Sequence, residues 1–130
     1  MINEWQPTAA IDISVLKSLV PYGQEALQQP IQLNKVVSKD LQKKVQGWIM
    51  LPEKEWQNTI AALATEELFP LAAFFTLAEN QLGGWQCGDS NPAIWIFRWL
   101  RSHKLLPDKD QIRQLKQLTD NRFIPYGSVL

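Results

Sequence analysis

The sequence predicts an all-α fold: a compact single domain of five to six short helices, packed orthogonally or as hairpins, with a non-helical C-terminal tail. Three observations predict it. Apolar residues return with the 3.6-residue period of an amphipathic helix in almost every segment. Start and stop signals such as Ser38, Asn91-Pro92 and Asp108-Lys109-Asp110-Gln111 divide the chain at short intervals. Strand-like alternation is confined to residues 31–37, where Leu33, Val37 and Leu41 fit a helix equally well. The whole chain, 1–130, reads as one domain, with an arm over 1–8 and a tail over 122–130.

The first helix is expected after Thr8, with Ile11, Val15, Leu16 and Leu19 on one stripe and Pro21 ending it. Residues 24–29 then make a separate helical turn before Pro30. Ser38 caps KDLQKKVQGWIM, in which Leu41, Val45, Trp48 and Ile49 share a face. Pro52 suits the first turn of the next helix, followed by Glu53 and Glu55 where the helix dipole favours acids. Trp56, Ile60 and Leu63 form its inner stripe. Thr65-Glu66-Glu67 marks a fresh start, and Pro70 either kinks that helix or opens the next. PLAAFFTLAENQL runs to a stop at Gly83-Gly84.

Asn91 and Pro92 are good residues for the cap and first position of the following helix. That helix is apolar almost all round through Ile94, Trp95, Ile96, Phe97, Trp99 and Leu100, the pattern of a central element. The last helix opens on the Asp108 capping box, buries Ile112, Leu115 and Leu118, and closes at Asp120-Asn121. Pro-Tyr-Gly occurs twice, at 21–23 and 125–127. Both copies read as turns, in which the tyrosine packs on a neighbouring helix and hydrogen-bonds at its edge.

Composition narrows the function. Hydrophobic residues make up 45% and charged residues 20%, a globular mixture rather than a disordered one. Thirteen basic and thirteen acidic side chains cancel, which argues against a surface wholly given to nucleic acid. The balance is uneven, however. Seven bases and three acids follow position 97, against six and ten before it, so the C-terminal third carries +4 and the rest −4. One cysteine excludes an internal disulfide, and one histidine makes a zinc site implausible, so no metal or cofactor is expected. The N-terminus has no leader pattern, and no apolar run reaches the ~20 residues of a membrane span. A cytoplasmic protein is expected from these features.

GGWQCGDSNPAIW, at 83–95, concentrates groups with chemical potential. Cys87 could act as a nucleophile with His103 as base and Asp89 or Asp120 as orienter. The histidine, however, lies at the far end of the helix that follows, nearly 20 Å away at ~1.5 Å per residue. A phosphate cradle is weaker still, because neither glycine-loop signature is present and no strand precedes the loop. Gly83-Gly84 as a helix stop and Asp89-Ser90-Asn91 as a turn and cap account for the stretch. Trp95 and Trp99, interleaved with Arg98 and Arg101, could stack on and pair with single-stranded nucleic acid or an acidic peptide, or could pack in the core with the arginines reaching solvent.

Six tryptophans are the anomaly of the composition, and exposed ones mark surfaces where proteins meet. Trp5 and Trp85 lie on no helical stripe and are the candidates. The sequence therefore predicts a non-catalytic accessory or adaptor domain that binds another, acidic protein. Its expected surface comprises Trp85, Asp89, Arg98, Arg101 and Lys104, with Tyr126 of the tail adjacent. Nucleic-acid binding through the basic C-terminal third is the alternative, followed by a small enzyme or ligand-binding helical domain involving Cys87. Homo-oligomerisation stays open.

Overall fold

The helix α5 (Thr65–Gln81) forms the axis of the molecule, and from Leu68 to Glu79 only Phe69 has appreciable exposure. It starts where Thr65-Glu66-Glu67 implied, with the Glu67 carboxylate accepting from the Ala64 backbone N–H at 2.9 Å. The structure, a computed structural model, describes residues 11–119, 121 and 124. Around α5 stand α1 (Ile13–Gln28), α2 (Leu33–Val36), α3 (Lys39–Gln46), α4 (Glu53–Ile60), α6 (Pro92–Ser102) and α7 (Lys109–Lys116). A single 3-10 turn, Gly88–Ser90, precedes α6. No strand occurs among the described residues, so the all-α fold is observed, with seven α-helices rather than five or six. The extra helix comes from residues 31–37, where Leu33 and Val37 turn inward around one helical turn.

The largest departure from expectation is in α1. Asp12, not Thr8, caps it, accepting from Ser14 N–H at 2.9 Å, and Thr8 itself lies outside the described residues. The helix then passes through Pro21 and absorbs residues 24–28. A mid-helix proline removes one backbone donor, here the partner of the Lys17 carbonyl, and ordinarily costs ~3 kcal/mol. Pro21 and Lys17 are both exposed, so water can reach that carbonyl, while the following turn buries Gly23 and Ala26 against α5. Burial on the inner face outweighs the defect on the outer one. The first Pro-Tyr-Gly is thus a helical segment rather than a turn. Its tyrosine does make the expected contacts, donating to the Val36 carbonyl at 3.4 Å and packing on Phe74 with ring centroids 6.4 Å apart.

Gly23 lies in close contact with α5, and α1 and α5 are the most extensively packed pair among the described helices. A β-carbon there would fall 2.6 Å from the Pro70 carbonyl carbon and nearer still to its oxygen. Pro70 lies within α5, so both packed helices carry a proline close to the contact.

Other ends differ by a turn. α3 stops at Gln46, and Trp48 and Ile49 are buried from the turns that follow. The Trp48 carbonyl accepts the fully buried Trp56 indole N–H at 3.0 Å, and Trp56 meets Phe75 edge-on at 5.4 Å. Pro52 is the cap of α4 rather than its first residue. α7 ends at Lys116, short of Asp120-Asn121, although its Asp108–Gln111 capping box forms as expected. α6 packs on both α5 and α4.

Candidate interaction surface

The residues selected from the sequence do not form one patch. α6 separates them: Trp85 and Asp89 precede its N-terminus, and Arg101 and Lys104 lie at its C-terminus. Eleven residues of helix set these ends about 16 Å apart. Trp85, expected outside, is 3% exposed and meets Phe74 edge-on at 6.2 Å. Its place in a loop hid the fact that Phe74, on another element, covers it. Asp89 is exposed in the 3-10 turn. Tyr126, Trp5 and Asp120 lie outside the described residues.

The N-terminal end of α6 is a buried polar cluster that periodicity could not reveal. Asn91 caps the helix, accepting from Ala93 N–H at 2.8 Å, and its amide donates to Glu79 Oε1 at 2.6 Å and to the Phe75 carbonyl at 3.3 Å. Asn121 donates to both Glu79 oxygens at 3.0 Å and to the Gly88 carbonyl at 2.8 Å. Two carboxamides thus satisfy a carboxylate that has no ion-pair partner among the described residues. Cys87 is half-buried beside this cluster. Burial, and then the Glu79 charge, push its thiol up to about 12. Its Sγ donates to the Trp85 carbonyl at 3.3 Å. The His103 Nδ1 bonds instead to the Trp99 carbonyl, at 2.8 Å.

Halfway along α6, Arg98 is engaged within the molecule. Its guanidinium lies 5.0 Å from the Trp95 ring centroid and 2.8 Å from the Glu53 carboxylate. Gln57 joins them, donating to the Trp95 carbonyl at 3.1 Å and to Glu53 Oε2 at 3.2 Å. Trp95 is buried and Trp99 half-buried, so the stacking tryptophan pair considered from sequence is mostly interior. Trp99 stacks on His103 at 3.8 Å.

The C-terminal end of α6 is open. Arg101 and Lys104 are exposed, as is Lys109 beyond the loop, and none of the three has an ion-pair partner among the described residues. Between them stand Leu105 and Leu106, 45% and 38% exposed. The helix closes with a Schellman motif: Leu105 N–H donates to the Leu100 carbonyl at 2.8 Å and Lys104 N–H to the Arg101 carbonyl at 3.1 Å. The left-handed position of that motif, at φ 58°, is held by Lys104 rather than by glycine. The two leucines were legible as apolar letters in an otherwise polar loop, but only their exposure distinguishes them from core.

No group of three or more potential metal-ligating side chains occurs among the described residues. None of the described helices is long and apolar enough to cross a membrane. Comparison with known protein families, with curated proteins and with solved structures finds no match.

Proposed function

We propose that the protein is a non-catalytic interaction domain, acting in the cytoplasm, that binds an acidic protein surface through the C-terminal end of α6 and the loop after it. The observation that carries this reading is the pair Leu105 and Leu106, exposed between three basic side chains that no described acid neutralises. Apolar area flanked by three unpaired bases and one acid, the α7 cap Asp108, suits a partner that offers apolar anchors within a mainly acidic field. Lys104 supports it: a non-glycine residue in the left-handed region carries a cost of order 1 kcal/mol, which a cation held at that spot for recognition would explain. The stack of half-buried Trp99 on exposed His103 borders the same end and would supply contact area. A thiol pushed up to about 12 stays protonated at neutral pH, which speaks against nucleophilic work by Cys87.

The test is affinity capture from native lysate, with each captured protein then assayed pairwise against wild type, Arg101→Glu and Leu106→Ser. Both substitutions sit on exposed side chains, so thermal unfolding should stay within a degree or two while the acidic partner is lost. Partners retained by both variants would remove this surface. If the captured species is instead destroyed by nuclease and released steeply by salt, the basic end serves nucleic acid.

A further inference from the structure

The C-terminal end of α6 holds the only histidine of the chain in a fixed pose. The His103 ring lies flat on the half-buried Trp99 indole, with centroids 3.8 Å apart and planes 17° apart. Its Nδ1 is 2.8 Å from the Trp99 carbonyl oxygen and 3.0 Å from Ser102 Oγ. A carbonyl oxygen can only accept, so Nδ1 carries the proton. Ser102 agrees with that assignment: its own hydroxyl donates to the same carbonyl at 2.9 Å, which leaves Oγ to accept. One stack and one hydrogen bond thus set both the plane of the ring and its tautomer.

The other nitrogen, Nε2, lies on the far side of the ring. His103 is exposed, and Nε2 has no hydrogen-bond partner among the described residues. In the neutral ring this atom is an acceptor, and in the cation it is a donor. Arg101 and Lys104 flank it in sequence, both exposed and without ion pairs among the described residues. α5 runs antiparallel to α6, with Glu79 against Asn91 and Phe69 against Phe97, so its acids Glu66 and Glu67 lie toward this end. Glu67 pairs with Lys17 at 3.6 Å, and on α4 Glu53 is held by Arg98. Neither Glu66, nor Lys54 and Glu55 of α4, nor Asp108 and Asp110 beyond the loop forms an ion pair with His103.

We infer that His103 is a contact residue of the surface proposed above, with Nε2–H of the protonated ring donating to a partner carboxylate, so that capture of the partner takes up a proton. The inference rests on that reading of the surface. A neutral Nε2 offers the same carboxylate only a lone pair, which repels it. Binding therefore tightens as pH falls through the range in which imidazoles titrate, and weakens again only where the partner's own carboxylates protonate. The window between pH 5.5 and 7.5 isolates this group, because the chain has no second histidine and the Cys87 thiol is pushed up to about 12.

Two measurements test it on the whole chain. Long-range proton–nitrogen NMR of the free protein at pH 7.5 should show His103 as the Nδ1–H tautomer. Finding the Nε2–H tautomer would overturn the inference and leave the surface reading intact. For binding, the probe is a capped synthetic peptide with leucines spaced among glutamates, titrated at pH 5.5 and 7.5. Wild type should bind about fivefold tighter at the lower pH. His103→Gln should reduce that ratio to below about twofold, and His103→Arg, charged at both values, should bind nearly equally at the two. Equal wild-type affinity at both pH values, or an undiminished ratio in His103→Gln, would overturn the inference alone. Binding that survives Arg101→Glu, or no binding at either pH, would remove the surface and this contact with it.

Discussion

The two ends of α6 solve opposite problems with the same 11 residues of helix. At the N-terminus the capping side chain is turned inward: Asn91 caps the helix, holds Glu79 and reaches the Phe75 carbonyl, while Asn121 closes the other side of the same carboxylate. At the C-terminus the side chains turn outward, with Arg101, Lys104, Leu105 and Leu106 exposed and a strained lysine where glycine would be easier. The first end therefore positions the helix, and the second is free to meet something else. Basic and aromatic letters on one helix do not amount to one surface, because the helix length divides them and Glu53 claims Arg98 between them.

The sharpest way to break this comparison is Asn91→Ala. It removes a cap worth about 1 kcal/mol and leaves the buried Glu79 short of a donor, so a loss of about 2–3 kcal/mol is expected in urea unfolding. A loss below about 0.5 kcal/mol, the range of ordinary surface changes, would show that the N-terminal end is no anchor. Alkaline titration gives a directional effect confined to high pH. The folded Cys87 thiol is raised from an ordinary 9.0 to about 12. Between those values the unfolded chain loses its proton while the folded chain keeps it, so unfolding is increasingly favoured as pH rises. The thiol's contribution is whole below about 9 and is gone above about 12. Cys87→Ala should flatten that part of the stability profile, and wild-type Cys87 should react with a disulfide reagent at pH 8 more slowly than free cysteine does. The smallest effect belongs to Lys104→Gly. Relief of the left-handed backbone should stabilise the domain by about 0.5–1 kcal/mol while weakening partner capture. A variant no more stable than wild type would mean that the exposed end stores no strain.

Legibility differed by the range of the interaction concerned. Caps formed from neighbouring residues were readable: Ser38, Asn91-Pro92 and the Asp108–Gln111 box all form as their letters imply. So was the all-round burial of the first turns of α6, from its apolar circumference, although the central helix is α5. Pro21 misled because a local breaking rule was overruled by a contact 47 residues away, the packing of Gly23 on Pro70. Trp85 misled for a related reason: its cover comes from Phe74, and no local pattern encodes that. Glu79 sits on the same helix as a long apolar run, and nothing in the spacing marks it as the acceptor for two asparagines. The exposure of Leu105 and Leu106 is likewise a matter of what fails to cover them. Distant partners decided each of these cases.

The close passage of α1 over α5 has a consequence for ancestry. Main-chain atoms alone oppose one another at Gly23 and Pro70, so no choice of rotamer can make room for a larger residue there. Divergence can rewrite the aromatic letters around it by compensating exchanges of volume, but at position 23 the permitted alphabet has one member. A descendant of this fold that had lost all other resemblance would still be expected to carry that glycine, 47 residues ahead of the proline it touches.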